Sequence, residues 1–322
     1  MIEEVYQLLN EHLKIGITIH PAGEWLLDNF YIIEETVKQI QNELPINKYI
    51  NFVGITNGEY AGFARIYVLA GEIVAYSDNK IEKEQLEECL KSYQSKKTLS
   101  MDIGIFLQIA IIEKIKDICI KIYSSQMEKY KVENIAERLI ENRDKNETKF
   151  KAISKKAEKN LYQDMKYSFI EYMSYTLKRY GKKGNRYLNA LEEIVEKLGT
   201  TVSDVIKKEH FDIAVQKVLM GNSIISIKKI QRINFLEIFE KINGVEELLK
   251  EDPADVYSKM DYKTKEYYRT KIKEISKKTK TSELYITRKV LELAEKNTNK
   301  EDNKKSHIGY YLIDKGINEL YQ

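Results

Sequence analysis

Helix breakers are scarce throughout this chain, and their scarcity limits the fold more than any other feature. Three prolines and fourteen glycines punctuate 322 residues, too few to supply the turns of a many-stranded sandwich or barrel. Between the breakers, apolar residues recur at steps of three and four, the spacing of an amphipathic helix. The sequence therefore predicts an all-α protein, a multi-helix bundle in two packed lobes.

The clearest predicted helix begins at Pro21 and ends before Pro45. Proline suits the first helical position, because its missing N–H would be unpaired there in any case. A second helix, over residues 100–130, is apolar nearly all round in its first half, so we expect it to form the buried centre of the first lobe. One apolar stripe runs along the first of these helices: Leu26, Phe30, Ile33, Val37, Ile40 and Leu44.

A strongly polar segment over residues 141–159 separates the two predicted lobes. The N-terminal helical lobe is expected to span residues 1–145 and the C-terminal lobe residues 146–322. In the second lobe a helix is expected to end near Met220, before Gly221. The tail at residues 307–314 is expected to be a short strand or a docked loop.

Charge and cysteine content exclude several classes of protein. Fifty-three basic and fifty acidic side chains give a net charge of +3, too balanced by itself to indicate a nucleic acid or an anionic membrane as partner. Cys89 and Cys119 lie far apart, so a disulfide framework and a C-x-x-C site are both excluded. No secretory signal begins the sequence, and the most apolar window is about half of the roughly 20 residues that a spanning helix needs. We expect a cytoplasmic chain with no direct membrane span.

Recognisable catalytic signatures are absent from the sequence. It contains no H-E-x-x-H, no glycine-rich phosphate loop and no G-x-S-x-G. We therefore expect no catalytic residues, no metal and no cofactor. Adjacent acids such as Glu246 and Glu247 point about 100° apart on a helix, so they are expected on solvated helix faces.

Nucleic-acid binding is the alternative function that the residues leave open. Gly181 and Gly184 flank two lysines, as in a G-x-x-G loop that clamps a nucleic-acid backbone. Residues 261–305 carry 14 Lys or Arg against 8 Asp or Glu, a net charge of +6 that suits phosphates. A plain helix C-terminus at Gly181 and ordinary helix packing explain the same segments. The alternative is a stand-alone helical nucleic-acid-binding protein that uses the basic C-terminal stretch.

Four longer stretches, in this order and spacing, carry a resemblance to a known family. They are HPAGEWLLDNFYIIEE at residues 20–35, RIYVLA at 65–70, GNSIISI at 221–227 and EDPADVYSKMD at 251–261. Tyr268, Arg269 and HIGYYLIDKG at 307–316 extend the match. Over residues 18–320 the chain resembles the N-terminal region of the cyclic β-1,2-glucan synthase family. It departs from the family pattern at Ala64, where proline is usual, and at Asp255, where glycine is commoner.

The resemblance implies a non-catalytic role. Members of that family are large membrane enzymes that polymerise glucose from UDP-glucose, and the part resembled here lies on the cytoplasmic side, before the membrane helices and the transferase module. It lends no catalytic residue to this chain. The implied function is a helical scaffold that supports glucan synthesis by positioning other modules. The implied partners are the transferase and membrane modules, in the same or another chain, and glucan. The implied location is the inner face of the cell membrane, reached through those modules.

Within the matching stretches, polar and aromatic side chains are the candidates for binding or for contact with another module. Glu24 and Asp28 lie one helical turn apart near a positive helix terminus, a pattern that suits a sugar or a neighbouring loop and equally suits an internal structural network. Asp252 before Pro253, and Asn222 before Ser223, are expected as helix caps. The full set of candidates is His20, Glu24, Trp25, Asp28, Asn29, Arg65, Tyr67, Asn222, Asp252, Tyr257, Asp261, Arg269, His307, Tyr310 and Tyr311.

Overall fold

The all-α prediction is confirmed by the structure, a computed structural model that describes residues 1–94, 99–141, 167–197, 199–242, 244–298 and 304–320. These residues contain fifteen helices and no β-strand, apart from an isolated bridge between Gly54 and Ala64. The helices are α1 (Ile2–Lys14), α2 (Pro21–Glu43), α3 (Ile46–Tyr49), α4 (Arg65–Tyr76), α5 (Lys83–Gln94), α6 (Ile103–Glu141), α7 (Tyr167–Arg179), α8 (Lys182–Lys197), α9 (Val202–Ile230), α10 (Phe235–Ile242), α11 (Gly244–Leu249), α12 (Tyr262–Thr279), α13 (Glu283–Glu295), α14 (Gly309–Ile313) and α15 (Ile317–Leu320).

The chain divides into two compact units. The first unit comprises Met1–Ile81 and Ile105–Gln231, and the second comprises Glu82–Gly104 and Arg232–Gln322. The predicted boundary between residues 145 and 146 lies outside the described residues, so the division into lobes 1–145 and 146–322 stays a prediction.

Helices α2, α6, α7 and α9 build the first unit. Helix α2 begins at Pro21 and ends just before Pro45, as its proline limits predict. On α6, Phe106, Leu107, Ile111 and Ile115 are fully buried, which agrees with its predicted central place. Helix α9 packs along α2 on one side and against α7 on another. The candidate residues of α2 and α9 therefore lie on neighbouring helices.

Helix α9 continues to Ile230, so the predicted end near Met220 is wrong, and so is the helix-cap role of Asn222 and Ser223. Glycine in a helix interior usually costs stability. At position 221 the packing favours glycine, because a Cβ there would lie only 3.1 Å from Cε2 of Trp25. The absent side chain lets the indole ring pack directly on α9.

The second unit has its core around two fully buried tyrosines, Tyr257 and Tyr311. Helices α11 to α14 supply most of its other buried residues. The tail at residues 307–314 was expected to be a strand or a docked loop; the strand is wrong, because Gly309–Ile313 forms a short helix. Tyr311 and Leu312 dock this helix into the core.

Two exposed positions of the second unit adopt left-handed backbone. Asp255 has φ of 50°, which gives a physical reason why glycine is the commoner residue there in the family that the chain resembles. Lys280 has φ of 57° and ends α12. Glycine is the residue that best fits a helix end of this kind.

We expect Lys280→Gly to raise the free energy of unfolding by about 0.5–1 kcal/mol, because it relieves the left-handed strain without removing a buried contact. Thermal and urea unfolding measure the change. Lys278→Gly, two residues earlier and inside α12, is the matched control and should lower stability by about the same amount. A loss of stability in both variants would contradict the conformational explanation.

Candidate functional site

His20 caps the N-terminus of α2. Its Nδ1 accepts a hydrogen bond from the backbone N–H of Ala22 at 3.1 Å, so its proton resides on Nε2. Burial lowers the pKa of His20 to about 4. The ring is therefore neutral near pH 7 and acts as a structural cap.

Asn29 joins α2 to α9 at a kink. Its backbone is non-helical (φ −128°, ψ 16°), and its side-chain amide donates to the carbonyl oxygen of Trp25 at 3.0 Å. Its Oδ1 accepts a hydrogen bond from Nζ of Lys228 on α9 at 3.1 Å. Trp25 packs on Gly221 one turn away. These contacts hold the two helices in register.

Glu24 and Asp28 lie on the exposed side of α2. Glu24 pairs with Lys217 of α9 at 3.3 Å, and both side chains are about half exposed. Exposed ion pairs of this kind contribute little to stability. Glu24 and Asp28 are therefore acids of the first motif that a partner can reach, as are the exposed Glu34 and Glu35 at its end.

The third motif clamps the turn that follows α4. Asn222 donates to the carbonyl oxygen of Asp78 at 3.0 Å, and Ser223 Oγ accepts from the side chain of Asn79 at 3.0 Å. Ser226 Oγ donates to the carbonyl oxygen of Asn79 at 2.7 Å and accepts from the N–H of Ile81 at 2.8 Å. Asp78 and Asn79 both have left-handed backbone. The motif thus stabilises a turn that is unfavourable by itself.

Ser226 was not among the predicted site residues, although it carries much of this clamp. The available signal was the pair of hydroxyls at positions 223 and 226, which lie on one face of a helix. Their partner, the turn after α4, is about 145 positions away in the chain. No local pattern indicates such a partner.

We expect Ser226→Ala to lower the free energy of unfolding by about 1–2 kcal/mol, because it leaves the carbonyl of Asn79 and the N–H of Ile81 buried without partners. Urea unfolding measures the loss. Ser203→Ala, at an exposed position of α9, is the control and should leave stability unchanged. A change of the same size in both variants would contradict the role of the clamp.

Arg65 and Tyr67 are anchored elsewhere in the first unit. The hydroxyl of Tyr67 donates to the carboxylate of Glu113 on α6 at 2.9 Å. Burial and the hydrogen-bonded Glu113 carboxylate raise the pKa of Tyr67 to about 12. Arg65 is half-buried, and its backbone N–H donates to Val53 at 2.8 Å. These bonds connect Tyr67 to α6 and Arg65 to the segment before α4.

Asp252 is the main polar anchor of the second unit. Oδ2 accepts hydrogen bonds from the N–H groups of Val256 and Tyr257, both at 3.2 Å, and contacts Nδ1 of His307 at 2.8 Å. Oδ1 accepts from the N–H of Ile308 at 3.1 Å. Burial acts to raise the pKa of Asp252, but the bonds from His307 and the backbone outweigh it and hold the pKa below its ordinary value. Asp252 therefore caps a turn, where a helix cap was predicted. Its bonds to His307 and Ile308 also hold the tail at residues 307–314 in place.

His307 also contacts Tyr268: its Nε2 lies 3.0 Å from the tyrosine hydroxyl. The order carboxylate, imidazole, hydroxyl is that of a catalytic triad. Tyr268 is buried, however, and a Cβ on Gly309 would lie 2.3 Å from its hydroxyl. The crowded hydroxyl cannot reach a substrate, so this arrangement positions the tail.

Glu246 forms a second buried anchor with Tyr257 and Arg269. Its Oε2 accepts from the hydroxyl of Tyr257 at 2.7 Å and from Nη1 of Arg269 at 3.0 Å. Burial and the Glu246 carboxylate raise the pKa of Tyr257. The expectation that Glu246 lies on a solvated face is wrong, because the residue is only 2% exposed. Its burial depends on the two partners that neutralise and bond it.

The remaining candidates have separate local roles. Tyr311 is fully buried, and its hydroxyl accepts from Nδ2 of Asn297 at 2.8 Å. Tyr310 packs edge-on against Tyr311. Asp261 is exposed and caps α12 by accepting from the N–H of Thr264 at 3.1 Å. Hydrogen bonds from the side chain and backbone of Thr264 lower the pKa of Asp261.

Comparison with known proteins finds a much longer relative of this chain. No family model matches it. It is 23% identical over 298 residues to the cyclic β-(1,2)-glucan synthase NdvB of Rhizobium meliloti (strain 1021). The chain is related to this glucan synthase. The alignment covers 91% of the chain but only 10% of NdvB, so the chain spans about a tenth of the length of that relative.

The relation to the glucan synthase agrees with the resemblance carried by the motifs, and the structure sorts their residues into two groups. In the first unit, His20, Glu24, Trp25, Asn29 and Asn222 come together along α2 and α9. The second group, in the other unit, comprises Asp252, Tyr257, Arg269 and His307. Among the described residues, no group of three or more His, Cys, Asp or Glu side chains is arranged to hold a metal, and no helix is long and apolar enough to cross a membrane.

The nucleic-acid alternative gains no support. Gly181 has φ of 54° just after α7, and a Cβ on Gly184 would lie 1.9 Å from the carbonyl oxygen of Leu177. Both glycines thus have structural reasons to be glycine. In the basic stretch, Arg269 pairs with the buried Glu246, while Lys271 pairs with Glu274 at 2.8 Å.

Proposed function

We propose that this chain is a non-catalytic helical scaffold region of a glycosyltransferase of the cyclic β-1,2-glucan synthase kind. It positions the transferase and membrane modules, in the same or another chain, on the cytoplasmic side of the membrane. The proposal rests on one observation: most of the motifs' polar side chains bond to other parts of the same unit. His20, Asn29, Asn222, Asp252 and His307 are all engaged in caps, clamps and anchors inside the units.

The comparison supports the same conclusion, because about nine-tenths of NdvB lies outside the region that this chain matches. A region that small, with these five polar side chains engaged in bonds within the units, suits a supporting role better than a reacting one. The contact with other modules then falls to exposed side chains next to the motifs.

The outer face of α2 and α9 is the part of the first unit that fits such a contact. Phe211, Val218 and Ile225 recur every seven residues on α9, and all three are exposed. Two helical turns separate each pair, so these side chains form one stripe. Asp28 is exposed on the neighbouring helix α2. An apolar stripe beside an acid is suited to a partner helix with a basic flank.

Reversing the charge of Asp28 tests the proposal. The chain is tagged and co-expressed with the transferase module of the glucan synthase from its own source, and the fraction that co-purifies is measured. We expect Asp28→Lys together with Val218→Glu to lower that fraction at least about tenfold, which corresponds to 1.4 kcal/mol of binding free energy. Glucan formed from UDP-glucose by the same membranes should fall in parallel.

Glu34→Lys is the matched control, because it reverses an exposed charge on the same helix at a position about 120° around the helix axis from Asp28. It should leave both readouts unchanged. Equal thermal unfolding of all variants excludes misfolding as the cause. Normal glucan synthesis in membranes that lack this chain, and any homologous region, would contradict the scaffold function.

A further inference from the structure

A cavity of about 440 Å³ opens in the first unit, away from the α2–α9 motif residues. It lies where the α1–α2 loop, α6, α7 and the start of α9 meet. Its volume is within the range of small-molecule sites. Among its lining residues are Thr18, Lys129, Glu171, Tyr172, Ser174 and His210.

Two buried polar atoms of the lining residues have no partner among the described residues. Ser174 is 0% exposed, and its Oγ makes no hydrogen bond. Glu171 contacts Nε2 of His210 at 2.7 Å through Oε1, while its buried Oε2 has no partner. Buried polar atoms are nearly always paired in folded proteins, so two such atoms in residues that line one cavity are unusual.

The charges around the cavity are mixed. Three basic side chains, Lys129, Lys178 and Arg179, line it together with His210 and the two acids Glu133 and Glu171. Lys129 donates to the carbonyl oxygen of Thr18 at 3.0 Å and lies 5.3 Å from the centre of the Tyr172 ring. A site with both signs in near balance favours neither a phosphate nor a diamine strongly. A neutral molecule with many hydroxyl groups fits it better, because each hydroxyl both donates and accepts.

We propose that this cavity binds a neutral sugar ring. Rotation of the two side chains turns Glu171 Oε2 and Ser174 Oγ toward the cavity. One sugar hydroxyl then donates to the carboxylate oxygen, and a neighbouring hydroxyl bonds to Ser174. Because Ser174 Oγ has no hydrogen bond to lose, its rotation toward the cavity breaks none. The exposed ring of Tyr175, also in the lining, offers an aromatic face for the sugar C–H groups. The choice of glucose as the sugar rests on the proposed function.

Titration calorimetry of the full chain tests the site, with methyl β-D-glucoside and the β-1,2-linked disaccharide sophorose as probes. We expect a dissociation constant on the order of 1 mM for at least one of them. Ser174→Ala and Glu171→Gln should each weaken it about tenfold, the effect of one lost hydrogen bond. Since Ser174 Oγ bonds to nothing in the protein, Ser174→Ala should unfold at no lower temperature than the unmodified chain.

Ser203→Ala and Glu192→Gln make the same two changes at exposed positions and serve as controls. Inorganic phosphate and 1,3-diaminopropane are the charged comparison probes. No saturable sugar binding, tighter binding of either charged probe, or equal affinity in the cavity and control variants would each overturn the proposal. Loss of sugar binding with unchanged co-purification of the transferase module would overturn this inference alone. Failure of co-purification with sugar binding intact would instead count against the scaffold.

Discussion

Asp252→Ala is expected to lower the free energy of unfolding of the second unit by about 3–5 kcal/mol. The substitution leaves the N–H groups of Val256, Tyr257 and Ile308 and the Nδ1 of His307 without their acceptor. Buried donors without partners cost about 1–3 kcal/mol each, and the total falls short of the sum because the tail can detach and become hydrated. Urea unfolding followed by tyrosine fluorescence measures the loss.

Asp252→Asn distinguishes charge from shape at the same position. An amide has the size of the carboxylate but one acceptor oxygen, so it cannot satisfy donors on both Oδ1 and Oδ2. We expect it to lose most of the same stability. Asp261→Asn, at the exposed cap of α12, is the control and should have a much smaller effect. A loss below about 1 kcal/mol in Asp252→Ala would contradict the anchoring role of this carboxylate.

The stabilisation by Asp252 should also depend on pH. Its pKa is lowered in the folded protein, so the contribution is fully present above the unfolded value of about 3.9. It is lost as the pH falls through the folded pKa, because protonation then removes the acceptor. The difference in unfolding free energy between the unmodified chain and Asp252→Asn should therefore shrink as the pH falls below about 4. A difference that grows with acid would contradict this assignment.

The structure confirms predictions that depend on residues close together in the sequence, such as the limits of a helix or its buried face. The limits of α2 follow from Pro21 and Pro45, and the buried centre of α6 follows from its nearly continuous apolar surface. Both depend on residues within a few turns of one another. The absence of strands from the described part of the chain follows from the same scarcity of breakers that indicated helices.

Features set by distant partners were not predictable in this way. Helix α9 continues through Gly221, where the ring of Trp25, about 200 positions earlier in the chain, occupies the space of a side chain. Glu246 is buried because Tyr257 and Arg269 bond to it, although its local pattern is that of a solvated acid. His20, Asn29 and Asp252 were selected as candidates for binding or module contact, which stays a prediction, and the partners that they have inside the fold were not identified. The cavity beside Glu171 and Ser174 had no signal in the sequence, because four separate segments form it.

Arg269→Ala is expected to destabilise the second unit by about 3–5 kcal/mol as well, for an electrostatic reason. It removes the cation from a carboxylate that is 2% exposed, and desolvation of an unpaired charge costs more than the lost hydrogen bond. The hydroxyl of Tyr257 remains as one donor to Glu246, which limits the loss. Urea unfolding measures it, and Lys271→Ala, which breaks the exposed pair with Glu274, is the control with no measurable effect.

Replacing both Glu246 and Arg269 separates the net contribution of the ion pair to stability from the cost of leaving one buried charge without its partner. The double variant Glu246→Leu with Arg269→Met removes both charges and keeps apolar volume. It also removes the partner of the Tyr257 hydroxyl, and Tyr257→Phe measures the cost of that loss. After this cost is subtracted, the stability of the double variant should lie within about 1 kcal/mol of the unmodified chain. Glu246→Leu alone leaves a half-buried arginine that can reach solvent, and it should cost less than Arg269→Ala. If the double variant were as unstable as Arg269→Ala, shape at this anchor would matter more than charge balance. The pair would then act by fixing the packing of α11 on α12, a specific geometry that apolar side chains do not reproduce.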